Sequence, residues 1–348
     1  MVVIGADVHK RSHTFVAVDE VGRKLGEKTV EATSAGHAEP IMWARKRFGT
    51  ELIWGIEDCR NMSARLERDL LTAGQKVVRV PTKLMAQTRA SARTRGKSDP
   101  IDAEAVARAV LRQPDLPVAS HDETSRELKL LVDRREVLVA QRTSAINRLR
   151  WWIHELDPER APGALDRAKH QKALRDWLNA LAGLVAELAR DELADIIRLT
   201  EAINTLEKRI DIRARELAPD LLELFGCAAL TAAKIVGETA DVSRFRSEAA
   251  FANHAGVAPI PVWSGDTTGR VRLSRCGNRQ LNSALYRIAI TQIGRSGPGQ
   301  TYYRKKLAEG KTKKAAIRCL KRHIARDVYR ALHADHQTRH QRQQPTAA

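Results

Sequence analysis

VVIGADVHK, residues 2–10, is a short β-branched run that leads into an acid. Its apolar residues are consecutive and lack helical spacing, which predicts a buried strand with Asp7 at its end. The same reasoning predicts further strands at residues 14–18, 28–31 and 52–56. Glu57 directly follows the last of these runs. Asp7 and Glu57 are therefore both expected at the ends of central strands.

The periodicity changes after residue 98. Apolar residues then recur at helical spacing, at Ile101, Ala105, Val106, Ala109 and Val110. Ser98 is a suitable N-cap for this helix, and Pro100 is tolerated in its first turn. Asp99 and Asp102 are three residues apart, so they share one face of the helix and can point together at the strand ends.

Asp7, Glu57, Asp99 and Asp102 together predict one metal site. Hard divalent cations such as Mg²⁺ prefer carboxylate oxygens, and two such ions stabilise the attacking and leaving oxygens of a phosphoryl transfer. We expect a two-ion Mg²⁺ site, with Mn²⁺ as the alternative metal. The competing interpretation of the Asp99–Asp102 pair is a capping arrangement favoured by the helix dipole.

A basic run lies immediately before the acidic pair and contains Arg89, Arg93, Arg95 and Lys97. Such a run is commonly a solvated face, but beside an acid cluster it suits a backbone phosphate delivered to metal ions. The predicted substrate is a polynucleotide. The net charge of +18 over 348 residues agrees, because strong positive charge indicates nucleic acid or another anionic surface.

Composition also excludes other classes of protein. No run of apolar residues is long enough to span a membrane, and Met1 leads directly into the first strand without a signal peptide. The four cysteines are far apart and form no C-x-x-C pair, which is typical of a reducing compartment and argues against a zinc site. The length is sufficient for two or three domains.

Residues 123–217 have the composition of a helical linker, rich in Leu, Ala, Arg and Glu. Pro158 and the Pro162–Gly163 pair interrupt it, which predicts two long helices around a central break. The two helices would form an antiparallel hairpin within the chain or a dimerising coiled coil.

The C-terminal part is the most basic region. Fourteen Lys and Arg against three acids give residues 295–348 a charge of +11. We expect a helix over residues 221–236, a loop over 251–261, a helix over 280–290, a basic helix over 311–332 and a disordered tail from 335. The turn that opens the helix at 280 holds Arg270, Arg272, Arg275 and Arg279, which predicts a phosphate-binding site.

The order of the parts described above is informative: GADVHK, GIEDCR and KSDPIDAEAVAR are followed by the helical linker and then by the segment at 251–290. In this order they resemble the transposases of bacterial insertion-sequence family one-ten. The similarity extends over about residues 2–332. It implies an α/β RNase H-like (RuvC-like) N-terminal domain, a helical coiled-coil linker and a mostly α C-terminal transposase domain. The implied boundaries are 1–118, 119–217, 218–334 and a basic tail at 335–348.

The resemblance also implies the site residues. The family's DEDD motif matches Asp7, Glu57, Asp99 and Asp102, and its nucleophilic serine matches Ser264 in the Ser264–Gly265 turn. That serine attacks a DNA phosphodiester and forms a phosphoserine intermediate. The implied partners are the element's DNA ends and target DNA, a noncoding bridge RNA that guides the reaction, and further copies of the chain, as a dimer and as a tetramer at the synapse. The implied location is the bacterial cytoplasm, at the nucleoid.

Several alternatives remain open at this point. The protein could be a junction-resolving endonuclease that uses only the DEDD site and water, or a nucleic-acid-binding relative without activity. Ser274 and Ser283 are weaker candidates for the nucleophile, and Tyr286, Tyr302 and Tyr303 keep a tyrosine mechanism open. Asp58 is a fifth acid beside Glu57, although strand alternation points it the other way. The Phe225–Gly226–Cys227–Ala228 sequence also departs from the family's glycine hairpin.

Overall fold

A computed structural model gives the fold and describes residues 1–57, 62–90, 96, 98–113, 116, 118–120, 122–265, 271–273 and 277–343. The N-terminal domain contains a five-stranded sheet in the order β3-β2-β1-β4-β5. Its strands are β1 (Val2–Val8), β2 (Ser12–Val18), β3 (Lys24–Glu31), β4 (Leu52–Glu57) and β5 (Lys76–Val80). β2 runs in the opposite direction to the other four strands, as the pairings of the sheet show. This is the RNase H-like arrangement that the family resemblance implied.

Alternate side chains of a strand point to opposite faces of the sheet, and helices cover both faces. The helices are α1 (Ser34–Phe48), α2 (Ala64–Thr72), α3 (Thr82–Ala90) and α4 (Asp99–Arg112). On one face, Ile4, Phe15 and Trp54 pack with residues of α1 and α2. On the other face, Val3 and Val16 pack with α4. The sheet is therefore buried on both sides.

The linker is a helical hairpin. Its helices are α5 (Glu123–Leu156), α6 (Ala168–Asn179) and α7 (Leu184–Leu217). Arg135 pairs with Glu207, and Arg148 further along α5 pairs with Glu192 earlier in α7, so the two long helices run antiparallel. The predicted pair of helices is confirmed. The helix α6 within the break was not predicted.

The C-terminal region is mostly helical, as expected. It contains α8 (Pro219–Leu222), α9 (Ala229–Thr239), α10 (Glu248–His254), β6 (Pro259–Pro261), β7 (Val271–Leu273), α11 (Arg279–Ile293), α12 (Pro298–Ala308) and α13 (Lys313–Gln343). Phe251, Leu285 and Ile324 belong to its core, which also includes Leu128 and Ile210 from the two linker helices. One hydrophobic core therefore joins the base of the hairpin to the C-terminal helices.

Three expectations for this region were wrong. The predicted helix over 221–236 is interrupted, because Gly226 adopts a φ of +89° in a turn between α8 and α9. Part of the predicted loop at 251–261 belongs to α10, whose N-cap Ser247 accepts a hydrogen bond from the Ala250 amide. Residues 335–343 are helical rather than disordered, since α13 continues to Gln343 and buries Asp335. None of the helices described in the structure has the length and apolar character needed to cross a bilayer.

Candidate active site

The two strand-end acids lie on adjacent parallel strands. Ala6 of β1 is paired with Ile56 of β4, and Asp7 and Glu57 are the next residues on their strands. Alternation places Asp7 on the same face as Gly5, and Glu57 on the same face as Gly55. Both acids therefore belong to the face of the sheet that α4 covers.

Two glycines allow α4 to approach this face closely. A Cβ at Gly5 would lie 2.0 Å from the carbonyl oxygen of Ala103, and one at Gly55 would lie 2.7 Å from a methyl of Val110. Gly5 and Gly55 are themselves a register pair. With no side chain at either position, α4 rests on the strand backbones, and this contact brings its first turn to the strand ends. The role of these glycines was missed, although one precedes each acid by two residues.

Asp99 and Asp102 lie in that first turn of α4. The histidine His9, two residues beyond Asp7, joins them to β1: its Nε2 is 3.0 Å from Oδ2 of Asp7 and 3.4 Å from Oδ1 of Asp99. One ligand atom from each of Asp7, His9 and Asp99 lies within 4.8 Å of the others. His9 was not predicted as a site residue; it directly follows β1, two residues beyond Asp7.

The electrostatics of this cluster favour a cation. Burial raises the pKa of Asp7, and the nearby carboxylates of Asp102 and Asp99 raise it further, while His9 acts in the opposite direction. A bound divalent cation would offset the repulsion between these carboxylates. Carboxylate oxygens suit a hard divalent metal, and an imidazole nitrogen is compatible with Mn²⁺ as well. The residues present therefore fit a divalent cation.

Ser264 lies in the other half of the chain, in the segment between β6 and β7. Its side chain is exposed, and Gly265 after it adopts a φ of +55°. A longer stretch, called the Ser264 segment, runs from Gly256 to Gly277 and contains β6, Ser264 and β7. Its two ends are held together at its base. The Asn278 amide donates to the His254 carbonyl at 2.6 Å, and a Cβ at Gly277 would lie 2.3 Å from the backbone of Gly256.

A side-chain pair, partly buried Asn282 and buried Lys321, fixes the same base. The Asn282 Nδ2 donates to the carbonyls of Ala255 at 2.8 Å and Gly256 at 3.1 Å, and its Oδ1 accepts from the Lys321 ammonium at 2.6 Å. Burial lowers the pKa of Lys321 to about 8, and Arg318 acts in the same direction. Neither Asn282 nor Lys321 was singled out from the sequence. Lys321 lies 39 positions from Asn282 in another helix, so the sequence around either residue does not predict their contact.

The predicted basic and alternative residues are distributed as follows. Arg272 is exposed in β7, and Arg279 is the exposed first residue of α11. Arg89 belongs to α3, but its side chain is not described. Tyr286 is exposed, whereas Tyr302 and Tyr303 pack against the C-terminal core. The remaining predicted residues, Arg93, Arg95, Lys97, Arg270, Arg275, Asp58 and Ser274, lie outside the described residues.

Comparison with known proteins identifies relatives of both halves of the chain. Residues 4–158 match a family described as "Transposase", and residues 218–304 match the "Transposase IS116/IS110/IS902 family". The chain is 30% identical to an insertion element IS116 protein of Streptomyces clavuligerus, over 88% of each chain. It is 26% identical to an insertion element IS900 protein of Mycobacterium paratuberculosis, over 97% of this chain and 96% of that one.

Among solved structures, RuvC of T. thermophilus in complex with a Holliday junction substrate is 15% identical, covers 34% of this chain and 99% of its own, and has a TM-score of 0.28. The family assignment rests on the two sequence matches, which cover both halves of the chain, and on the IS116 relative. The chain belongs to the IS116/IS110/IS902 family of transposases, enzymes that cleave and rejoin DNA.

Proposed function

We propose that this transposase excises a mobile element and inserts it at a specific site, with Ser264 as the nucleophile and the four carboxylates as the metal site. The observation that carries the proposal is the cluster of Asp7, His9 and Asp99 where α4 meets the strand ends. Glu57 ends the adjacent strand, and Asp102 is close enough to raise the pKa of Asp7. Mg²⁺ is the proposed metal, as a pair of ions.

Asp7, Glu57, Asp99 and Asp102 would hold the metal, with His9 beside Asp7 and Asp99. When bound, the metal would neutralise charge on the phosphate and lower the pKa of a coordinated hydroxyl. A serine hydroxyl is a weak nucleophile at its ordinary pKa, so it needs such activation. The exposure of Ser264 supports its role, because a phosphodiester of DNA must reach its Oγ.

In the proposed step, the Ser264 Oγ forms a bond to phosphorus while the bond from phosphorus to one sugar oxygen breaks. The serine gives up its proton, and the displaced sugar oxygen takes up a proton. A sugar hydroxyl of the second DNA strand then attacks the phosphoserine: its oxygen forms a bond to phosphorus as the bond from phosphorus to Oγ breaks, the hydroxyl gives up its proton, and the released Ser264 takes up a proton. The fixed base of the Ser264 segment supports this assignment, because covalent catalysis needs the nucleophile held near its target.

The test is strand cleavage and exchange on DNA that carries the element's ends, with Mg²⁺ and the RNA transcribed from its flanks. Wild type is compared with Asp102→Asn and Ser264→Ala, and covalent protein–DNA adducts are trapped in denaturant. Ser283→Ala is the matched control, because Ser283 is also exposed and belongs to α11. We expect adducts with wild type and Ser283→Ala only.

A second function uses the same acidic site with water as the nucleophile. In that case the protein would be a metal-dependent endonuclease, and Ser264→Ala would cut DNA normally without an adduct. Loss of cutting in Asp102→Asn together with normal cutting in Ser264→Ala would therefore exclude Ser264 as the nucleophile and support attack by water. Calorimetric titration of Mg²⁺ or Mn²⁺ into wild type and Asp7→Asn tests the metal site separately from the reaction.

We further propose that a noncoding bridge RNA guides the reaction, and that the chain acts as a dimer and as a tetramer at the synapse, on nucleoid DNA in the bacterial cytoplasm. The charge of +18 supports binding to more nucleic acid than one DNA site. Sequencing of RNA that copurifies with the protein, and light scattering with and without DNA ends, test these two points.

A further inference from the structure

A groove lies between the α8–α9 turn and the exposed face of α11. Its volume is about 750 Å³, and its walls include Phe225 from the turn and Tyr286 and Ile290 from α11. Phe225 is 46% exposed and Tyr286 is 47% exposed. Two aromatic rings that keep about half their surface in solvent, in one concave site, are unusual for a surface that binds nothing.

The turn that presents Phe225 is fixed by α11. A Cβ at Gly226 would lie 3.3 Å from the Ile288 carbonyl and 3.3 Å from Cβ of Thr291, so the turn backbone is in direct contact with the helix. The Gln292 Nε2 donates to the Phe225 carbonyl at 2.8 Å, and Gln292 is buried. These contacts hold the backbone of Phe225 against α11, and the Phe225 ring forms part of the groove wall.

The charges around the groove favour an anion. Arg287 and Arg295 line it, and both are exposed. Among the described residues neither of these arginines forms an ion pair, whereas many other arginines of the chain do. Glu223 is the one acid in the lining and opposes them. The groove therefore combines two unpaired guanidinium groups with two aromatic rings.

We propose that this groove binds a single DNA strand, with an unpaired base stacked against Phe225 and Tyr286 and the backbone phosphates at Arg287 and Arg295. Stacking on an aromatic side chain requires a base that is not already stacked within a duplex. A transposase separates and exchanges DNA strands, so unpaired DNA is formed during its reaction. The inference needs only the family's action on DNA, and it holds whether or not Ser264 is the nucleophile.

The experiment measures binding of a fluorescein-labelled oligothymidylate to the full-length protein by anisotropy. Phe225→Leu and Tyr286→Leu remove the rings but keep an apolar side chain. We expect each to weaken binding about tenfold, as loss of one base–aromatic stack does. Arg287→Gln should also weaken binding, and Glu223→Gln should strengthen it. Trp151→Leu is the matched control, because Trp151 is 73% exposed on the linker helix α5.

Photocrosslinking with 5-iododeoxyuridine in the oligonucleotide locates the contact, and we expect the labelled peptide to contain Phe225 or Tyr286. Equal affinities for wild type, Phe225→Leu and Tyr286→Leu would overturn the proposal. A change in oligomeric state without a change in DNA affinity would assign the groove to a second copy of the chain. Larger losses for the matching RNA than for DNA would assign it to RNA. Both of these results would also overturn the proposal.

Discussion

The absence of a side chain at Gly5 determines how closely α4 approaches the sheet. A methyl group at this position would lie 2.0 Å from the Ala103 carbonyl oxygen and 2.5 Å from the Ala107 amide nitrogen. Both atoms are backbone, so neither can rotate away. We expect Gly5→Ala to reduce the free energy of unfolding by about 3 kcal/mol, the upper part of the range for overpacking. It should also move Asp99 and Asp102 away from Asp7.

Urea unfolding measures the loss, and hydrogen exchange at the amides of β1 and β4 locates it. Gly294→Ala is the control, because a Cβ there would meet its nearest atom, the Ile290 carbonyl oxygen, at an ordinary 3.5 Å. That variant should change the free energy of unfolding by less than about 0.5 kcal/mol. Similar stability of Gly5→Ala and wild type would show that α4 does not rest on Gly5.

Single residues of the acidic site were predictable where their position in an element carried the signal. Asp7 and Asp99 come at a strand end and a helix start, and both positions are visible in the hydrophobic pattern. His9 gave no such signal, since a histidine after a strand is common and its partner Asp99 is distant in the sequence. The contact between Asn282 and Lys321 was also not predictable, because the two residues are distant in the sequence.

At the scale of elements, α10, α11 and α13 together hold the base of the Ser264 segment. Asn282→Ala would leave the carbonyls of Ala255 and Gly256 and the Lys321 ammonium without their side-chain partner. Each such loss costs about 1–3 kcal/mol. If Ser264 is the nucleophile, we expect adduct formation to fall more than about tenfold while binding to the DNA ends is unchanged, because the reacting group is misplaced.

Gln171→Ala is the matched control for this prediction. Gln171 is a buried amide that, like Asn282, donates to a backbone carbonyl, that of Leu165 at 2.9 Å, but it lies in the linker helix α6. We expect it to lower stability without a specific effect on the adduct. Equal effects of Asn282→Ala and Gln171→Ala on adduct formation would mean that the segment's base acts through stability alone.

The contact between α13 and α8 makes stability depend on pH. Asp335 of α13 accepts hydrogen bonds from the amides of Asp220 and Leu221, and burial raises its pKa to about 6. The unfolded state therefore loses this proton at lower pH than the folded state. Stability from this group is highest below about pH 4 and falls as pH rises to about 6, by up to about 3 kcal/mol.

Asp335→Asn should remove this dependence while it keeps one acceptor oxygen at the start of α8. Urea midpoints of wild type and Asp335→Asn at pH 4.5 and 6.5 provide the test, since other titrating groups contribute to both proteins. We expect wild type to lose more stability than the variant between the two values. Parallel changes in the two proteins would show that Asp335 ionises at an ordinary pKa.

Elements as a whole were more predictable than their connections. β1, β2, β4 and α4 follow from the runs and spacing of apolar residues, which burial against the sheet determines. Only residues 28–31 of β3 were predicted, and β5 was not predicted. The break between α8 and α9 depends on the backbone of Gly226 against α11. The extension of α13 to Gln343 depends on the burial of Asp335 against α8. Both are tertiary contacts, which local periodicity does not encode.

For the whole molecule, the main property is an uneven positive charge. Residues 295–348 contribute +11 of the total of +18. Lys311, Lys313 and Lys314 are exposed at the start of α13 and just before it. Because DNA phosphates bind basic residues with release of counterions, the logarithm of the binding constant falls linearly with the logarithm of salt concentration. If these three lysines contact phosphates, replacing all three with Gln should reduce that slope by about 3.

The control variant removes the same charge elsewhere. Lys169, Lys208 and Arg209 are exposed on the linker helices, and their replacement with Gln lowers the net charge equally. Filter binding or anisotropy with duplex DNA, measured across a salt series, gives the slope for each protein. A reduction confined to the α13 variant would place the DNA backbone at this end of the molecule. Equal reductions in both variants would mean that total charge, rather than a defined surface, governs the affinity for DNA.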